Sequence, residues 1–137
     1  MKKVIIHTDG GSRGNPGPAG LGVYITSPDG QVLKRHSRYL GEQTNNYAEY
    51  MAIIDALQHA KEMGATEVDM YMDSELAVKQ LHGEYRVKNP GLAPLFLQVH
   101  NLRLGFRSVR FTHVRRERNV EADALVNEAI DRHLKSA

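Results

Sequence analysis

The sequence of 137 residues contains no cysteine at all. This absence excludes disulfide bonds, thiol catalysis and cysteine-ligated zinc sites, and it suits a reducing cytoplasm, where we expect the protein to act. Long apolar runs are missing too, since none approaches the roughly 20 residues that cross a bilayer. The run Val4-Ile5-Ile6 is also far shorter than the apolar segment of a secretory signal. We therefore expect neither a membrane partner nor secretion.

A strong excess of charge of one sign is also absent. The sequence has 18 Lys and Arg residues and 16 Asp and Glu residues, which gives a formal net charge of +2. Such a small excess favours polyanionic partners only mildly. Low-complexity segments, linkers and internal repeats are absent, and a chain of this length can form one sizeable core. We predict a single domain over residues 1–137.

Apolar segments that alternate with Gly- and Pro-containing turns predict an α/β fold. The expected strands cover residues 4–9, 21–26, 31–40, 66–72 and 108–113, and the expected helices cover residues 46–63, 74–81, 90–104 and 119–134. Tight connections make the first three strands an antiparallel meander. The fourth strand is reached through a helix and is expected to run parallel to the first. The sequence thus predicts a mixed five-stranded sheet, three antiparallel strands plus two parallel, flanked by helices.

A Gly- and Pro-rich segment, residues 10–20, follows Asp9 directly. We interpret it as a loop that leaves the Asp9 carboxylate at the carboxyl end of the first strand. Glycine backbone can approach a ligand closely because it lacks side chains. A mobile hairpin connection is the simpler interpretation when this segment is considered alone.

Four acidic residues fall at the ends of predicted elements: Asp9, Glu49, Asp73 and Asp123. Asp9 and Asp73 end parallel strands, whose carboxyl ends form the ligand-binding crevice of open α/β sheets. Glu49 lies in the first turn of the long helix, and Asp123 lies near the start of the last one. The predicted topology brings all four to one edge of the sheet.

Each acid also has a structural explanation by itself. Asp73 could be a helix N-cap, and Glu49 has capping-box spacing from Asn46. Asp123 could simply favour the positive end of a helix dipole. These explanations do not account for the clustering, because grouped carboxylates repel one another unless a cation neutralises them. Oxygen ligands select magnesium or manganese, and two such ions would support hydrolysis of a phosphodiester.

The motifs around these acids resemble those of type 1 ribonuclease H. The matching segments are Thr8-Asp9-Gly10-Gly11 with Gly14-Asn15-Pro16-Gly17-Pro18-Ala19-Gly20, Thr44-Asn45-Asn46-Tyr47-Ala48-Glu49, Asp73-Ser74, and Asn119-x-Glu121-Ala122-Asp123-x-Leu125-x-Asn127. They occur in order and span nearly the whole chain. The resemblance implies the ribonuclease H fold and endonucleolytic cleavage of the RNA strand of an RNA–DNA hybrid, with 5′-phosphate and 3′-hydroxyl products. It also implies that the four acids bind two Mg²⁺ ions, or Mn²⁺.

Substrate contacts follow from the same motifs. The expected contact residues are Gly10, Gly11, Asn15, Thr44, Asn45 and Asn46. The two glycines would lie against the sugar-phosphate backbone, and the asparagines would hydrogen-bond 2′-hydroxyls or base edges in a wide minor groove. By its place in the motif, Thr44 would contact a DNA phosphate. Helix capping is the alternative role of Asn45 and Asn46.

Two segments depart from the family pattern. Many bacterial relatives carry a basic, Trp-containing handle, whereas residues 82–89 lack Trp and include only two basic residues, which predicts weaker hybrid affinity. The loop over residues 113–118 lacks the family's flexible Gly-His segment, as in a short-loop branch of the family. Two residues are candidates to replace it, His113 and Arg116, and Arg116 would serve the scissile phosphate.

Two other functions stay open at this stage. A non-catalytic hybrid-binding module of the same fold would bind its ligand without turnover. A related 3′–5′ exonuclease could use four acids, although such enzymes open with Asp-x-Glu, and this chain has Asp9-Gly10-Gly11. The sequence leaves undecided whether double-stranded RNA is also cut. We expect a monomer.

Overall fold

The computed structural model describes residues 2–136, which form a five-stranded sheet flanked by helices. The strands are β1 (Lys3–Ser12), β2 (Gly17–Thr26), β3 (Val32–Gln43), β4 (Glu67–Met72) and β5 (Ser108–His113). The helices are α1 (Asn45–Glu62), α2 (Glu75–Leu81), α3 (Ala93–Arg103) and α4 (Val120–Ser136). A short 3₁₀ turn over Arg116–Arg118 precedes α4.

The strand order is β3-β2-β1-β4-β5, so the first strand of the chain lies at the centre of the sheet. β2 pairs antiparallel with both β1 and β3, while β4 pairs parallel with both β1 and β5. The pairing of β1 with β4 ends at His7 and Tyr71, whereas its pairing with β2 continues to Ser12 and Ala19. The predicted fold class is confirmed, including the parallel direction of the fourth strand.

Helix α1 lies on one face of the sheet and forms a large part of the core. Its first half is apolar on most sides and buries Tyr50, Ile53 and Ile54 almost completely. These side chains belong to one hydrophobic cluster with the inward-facing residues of the central strands: Val4, Ile6, Leu21, Val23 and Ile25. Burial of such a side chain contributes about 1.5–3 kcal/mol. The packing therefore fixes the position of α1 on the sheet firmly.

Helix α4 lies on the opposite face. The core residues of β2 are odd-numbered and face α1, so the alternation of the strand turns Gly20 and Gly22 toward α4. The buried side of α4 consists of Ala122, Leu125, Val126, Ala129 and Ile130. Across residues 2–136, none of the helices combines the length and apolarity that crossing a membrane would require.

The first hairpin is longer than the sequence predicted. Asp9 does not end the first strand, because β1 continues to Ser12 and pairs with a β2 that begins at Gly17, four residues before the expected start. Arg13 and Pro18 close the connection through an N–H···O bond of 2.9 Å. The expected loop over residues 10–20 is thus mostly paired strand, since glycine-rich segments can also form strands that let other elements approach closely.

All four helix starts differ from the prediction, three of them by one residue. Helix α3 begins at Ala93 rather than at residue 90, with Pro94 in its first turn, where a missing N–H costs nothing. The N-cap of α1 is Thr44, whose hydroxyl accepts the N–H of Tyr47 at 3.2 Å. The proposed capping box between Asn46 and Glu49 is therefore wrong, and Glu49 lies in the second turn of α1 rather than the first.

Candidate active site

Asp9 and Asp73 lie side by side at the end of the parallel strand pair. Each stands two residues beyond the last paired residues of β1 and β4, which are His7 and Tyr71. Strand alternation turns both side chains toward the face that α4 covers. Asp73 is not the N-cap of α2, because Ser74 has that role and accepts the N–H of Ala77 at 3.2 Å.

Gly10 lets α1 approach the strand beside Asp9. A Cβ at this position would lie 2.2 Å from the carbonyl carbon of Ala48 and 2.4 Å from the backbone nitrogen of Glu49. These are backbone atoms in the second turn of a packed helix, so they cannot give way cheaply. The missing side chain thus allows the Glu49 segment to lie directly against β1, next to Asp9.

Gly22 does the same for α4 on the other side of Asp9. It is the cross-strand partner of Asp9. A Cβ on Gly22 would lie 2.3 Å from the carbonyl oxygen of Ala122, the residue before Asp123. Two glycines, one beside Asp9 and one across from it, therefore bring the two helices that carry Glu49 and Asp123 close to the central acid.

The acids influence one another strongly. Burial raises the pKa of Asp9 to about 8, and the neighbouring charges of Asp73, Asp123 and Glu49 add to this rise, as does a hydrogen bond with the side chain of Asp123. Burial raises the pKa of Glu49 to about 7, against the lowering effect of the Ser74 hydroxyl and with a further rise from Asp73. The site thus holds more negative charge than the protein alone stabilises.

All four carboxylates line one polar cleft of about 520 Å³. Among residues 2–136, no three acidic or histidine side chains already converge into a closed set of metal ligands. The donor set still suits a hard cation, because the oxygens are carboxylates and a cation would relieve the repulsion that raises the pKa of Asp9. Mg²⁺ in particular is usually held by a few carboxylates, together with waters and substrate phosphates, in an open site of this kind.

The asparagines of the motifs hold the rim of the cleft together. The side-chain oxygen of Asn45 accepts the N–H of Ser12 at 2.7 Å, and the side-chain oxygen of Asn15 accepts the N–H of Asn45 at 3.1 Å. Since Thr44 is the N-cap of α1, neither Asn45 nor Asn46 is the capping residue. Asn15, Thr44 and Asn46 are exposed, and Gly11 lines the cleft itself.

The opposite wall consists of residues 113–118. Arg116 lines the acidic cleft, where its Nη2 lies 3.5 Å from Oδ1 of Asp123 while 77% of its side chain is exposed. His113 ends β5 and lines a separate cleft of about 340 Å³ with Arg115 and Arg118. The structure therefore brings Arg116, but not His113, to the cleft that the four acids share.

Comparisons with known proteins agree with this geometry. A family model described as reverse transcriptase-like matches residues 7–129. Ribonuclease HI of Halobacterium salinarum is 41% identical over 129 residues, which are 94% of this chain and 65% of that protein. The crystal structure of that organism's RNase H1 matches with a TM-score of 0.92 and covers 94% of this chain and 98% of the other. The chain belongs to the type 1 ribonuclease H family.

Further members of the ribonuclease H family have the same fold. The N-terminal RNase H domain of Rv2228c from Mycobacterium tuberculosis, solved as a fusion with maltose-binding protein, is 44% identical with a TM-score of 0.95 and 99% coverage of both chains. The whole bifunctional protein Rv2228c is longer, and this chain spans 37% of it. LC11-RNase H1, solved in complex with an RNA/DNA hybrid, is 48% identical with a TM-score of 0.92, covering 96% of this chain and 99% of the other.

Arg13 and Asn127 also line the cleft, although neither was a predicted site residue and Asn127 was noted only as part of the last motif. Arg13 donates from Nη2 to the side-chain oxygen of Asn127 at 3.1 Å and contacts Asp131 at 2.7 Å. Asn127 lies one helical turn after Asp123 and donates to the backbone oxygen of Asp123 at 3.2 Å. The i, i+4 spacing in α4 was a usable signal for Asn127. The position of Arg13 depends on the hairpin, so the sequence held no such signal for it.

Proposed function

We propose that the chain is an endonuclease that hydrolyses the RNA strand of RNA–DNA hybrids with the help of divalent metal ions. The observation that carries this proposal is the convergence of Asp9, Glu49, Asp73 and Asp123 on one cleft. Burying several carboxylates together is unfavourable for folding, because each loses hydration and repels the others. Membership of the ribonuclease H family supplies a catalytic reason for this arrangement. The hybrid bound to the similar LC11-RNase H1 supports the choice of substrate.

Ribonucleases H depend on divalent metal ions, and the four acids would hold two ions, Mg²⁺ or Mn²⁺. When bound, such ions lower the pKa of an attacking water and stabilise the negative charge of the reacting phosphate. Asp9 lies between the other acids and would be the shared ligand. The raised pKa values of Asp9 and Glu49 mean that both release protons when the site takes up cations near neutral pH. The products would carry 5′-phosphate and 3′-hydroxyl ends.

The remaining cleft residues would bind and orient the hybrid. Gly11, with the buried Gly10 beneath it, would lie against the sugar-phosphate backbone of the RNA. The amide groups of Asn15, Asn45 and Asn46 would contact 2′-hydroxyls, which distinguish RNA from DNA. Thr44 lies at the exposed start of α1 and would contact a phosphate of the DNA strand.

Arg116 would hold the scissile phosphate, since its guanidinium is exposed, lines the cleft and can donate two parallel hydrogen bonds to phosphate oxygens. His113 stays a second candidate for proton transfer or product release, at a greater distance from the acids. We propose a monomer that acts in the cytoplasm, with weak hybrid affinity because residues 82–89 offer few basic groups.

A cleavage assay with the purified chain tests this proposal. Hybrid, double-stranded RNA and double-stranded DNA, each end-labelled, are incubated with Mg²⁺, with Mn²⁺ or with a chelator. We expect cleavage of the RNA strand of the hybrid only when a metal is present, and end analysis should find 5′-phosphates. No cleavage above that of the matched variant Asp9→Asn would overturn the proposal.

The same assay separates the two alternatives. A non-catalytic hybrid-binding module would retain labelled hybrid in a gel shift without any turnover in Mg²⁺ or Mn²⁺. A 3′–5′ exonuclease would fail on a circular or end-blocked RNA strand annealed to DNA. An endonuclease cuts the circular and the end-blocked RNA strand alike. Cleavage of double-stranded RNA in the parallel reaction would add that duplex to the substrate range.

A further inference from the structure

Asn119 is the most buried polar residue that the structure describes, and the reaction proposed above makes no use of it. Its relative exposure is 0%, although it follows the exposed turn Arg116–Arg118 and precedes Val120, which is 54% exposed. Its side-chain Nδ2 donates to the backbone oxygen of Thr8 at 2.9 Å, across 111 positions of the chain. Because Thr8 directly precedes Asp9, this bond joins the start of α4 to β1 beside the central acid.

The backbone of Asn119 bonds two residues that line the cleft, Arg116 and Asp123. Its N–H donates to the backbone oxygen of Arg116 at 2.9 Å, and its carbonyl accepts the N–H of Asp123 at 3.1 Å. One residue therefore connects three elements: the strand of Asp9, the turn of Arg116 and the first turn of the helix of Asp123. The side chains of these two residues also approach each other, with 3.5 Å between Nη2 of Arg116 and Oδ1 of Asp123.

Thr8 has a strand partner on one side only, Val23 of β2. The parallel ladder between β1 and β4 ends at His7 and Tyr71, so Thr8 lies just beyond its last pair. Thr8 is 1% exposed, and its carbonyl would need a partner in this dry position. The amide of Asn119 supplies that partner, and it can do so only if the junction between the turn and α4 stays at one fixed distance from β1.

Helix capping does not explain this residue. An asparagine at the start of a helix normally caps it by accepting a backbone N–H with its side-chain oxygen. Here Oδ1 of Asn119 is buried and finds no hydrogen-bond partner anywhere in residues 2–136, while Nδ2 makes the bond to Thr8. The assignment of the two amide atoms follows from chemistry, since a carbonyl oxygen can only accept. The side chain therefore faces the strand and not its own helix.

We infer that Asn119 is a positioning residue, whose amide holds Asp123 and Arg116 at the correct distance from Asp9. This inference rests on the proposed function and adds to it a residue that touches neither substrate nor metal. The backbone of Asn119 is bonded to Asp123 and to Arg116. A small displacement of Asn119 therefore moves these two residues together relative to Asp9. A displacement of about 1 Å in such a site can lower a rate roughly 100-fold.

Three variants test the inference. Asn119→Ala removes the amide, and Asn119→Ser keeps a strong helix N-cap while its hydroxyl is too short to reach Thr8. Gln80→Ala is the matched control, because Gln80 is also buried, bonds the hydroxyl of Tyr50 at 2.5 Å and does not line the acidic cleft. For each variant, kcat and KM on the hybrid are measured well below its melting temperature. Mn²⁺ binding without substrate is measured by calorimetry.

We expect both Asn119 variants to lower kcat by about tenfold or more, with KM within about twofold of the wild type, and to weaken Mn²⁺ binding by about tenfold. Gln80→Ala should lower the melting temperature and leave kcat and Mn²⁺ binding unchanged. Wild-type kcat and Mn²⁺ affinity in Asn119→Ser would show a capping role and overturn the inference, and so would a rise in KM alone. If Asn119→Ala does not fold, Asn119→Ser decides the question.

The two proposals fail in different ways. If the wild type cleaves the hybrid and the Asn119 variants match it, the proposed function stands and the positioning role is wrong. If the wild type does not cleave, the Mn²⁺ affinities of the wild type and the variants still report whether the Asn119 substitutions displace Asp123. Equal Mn²⁺ affinity in the wild type and both variants would then reject the positioning role as well.

Discussion

The two walls of the cleft are built in different ways. The acidic wall, formed by Asp9, Glu49 and Asp73, rests on the central strands and on a helix that lies within contact of the backbone at Gly10. The opposite wall, residues 113–118, is mostly exposed, and its contact with the acids is the 3.5 Å approach of Arg116 to Asp123. Groups that must hold a fixed spacing thus lie where packing is tight. Groups that would follow a substrate phosphate lie on an exposed turn, which is tied to the sheet by the Asn119 bond and by the bond from the N–H of Val114 to the backbone oxygen of Met72.

The largest expected effect is at the centre of the acidic wall. Asp9→Asn keeps the size of the side chain but removes the charge that would hold the metal ions. We expect hybrid cleavage to fall by about three orders of magnitude or more. The measurement is initial rate with Mg²⁺ at saturating hybrid, with circular dichroism as the check on folding. Substantial residual activity would mean that Asp9 is not the shared ligand.

A second change tests the tight packing of the acidic wall directly. Gly10→Ala places a methyl group 2.2–2.4 Å from backbone atoms of α1, so we expect a loss of stability of about 1–3 kcal/mol or more. Gly11→Ala is the matched control for stability, because its Cβ would find its nearest neighbour at 3.7 Å. Urea unfolding of both variants measures the difference. Equal stability of the two would contradict the close approach of α1 at Gly10.

The opposite wall is tested by comparing its two candidates. Arg116→Ala removes the guanidinium from the cleft, and we expect kcat to fall about tenfold. Arg116→Lys should recover part of the loss, since a lysine restores the charge without the paired donors. His113→Ala should have the smaller effect because His113 lines a different cleft. If His113→Ala has the larger effect, the wall must move during the reaction to bring His113 to the acids.

The smallest effect concerns pH and stability. Folding raises the pKa of Asp9 from 3.8 to about 8, so the folded state favours the protonated form. Without metal, the contribution of Asp9 to stability is therefore lost as pH rises between these values. Asp9→Asn cannot titrate, so its melting temperature relative to the wild type should rise between pH 5 and pH 8, on the order of a few °C. Thermal melts in a chelating buffer measure this, and saturating Mn²⁺ should reverse the order by stabilising only the wild type.

The sequence predicted those features that depend on local pattern. The boundaries of β5 match, because an apolar run with defined ends specifies them locally. The acids at positions 9, 49, 73 and 123 were identified because each stands at the end or start of such a run. Strand direction then predicted that Asp9 and Asp73 meet at one edge of the sheet.

Features that depend on register between distant segments were not predicted. The segment after Asp9 looked like a loop because glycine is uncommon in strands, yet Gly20 and Gly22 are needed to admit α4. Gly22 matters because it faces Asp9 across the hairpin, and the sequence does not contain that pairing explicitly. The sequence identified Asn119 only as part of a motif and predicted no role for it, since its partner is a backbone oxygen 111 positions away.

The central place of β1 has a consequence for synthesis of the chain. β1 is translated before its neighbours in the sheet, which come from residues 17–26 and 67–72, and the last group that meets Asp9 is Asp123. During translation, Asp9 therefore emerges long before the helix that completes the cleft. A nascent or prematurely terminated chain that ends before α4 would carry β1, α1 and β4 without an assembled site. The position of Asp123 in α4 thus delays completion of the acidic cleft until that helix has left the ribosome.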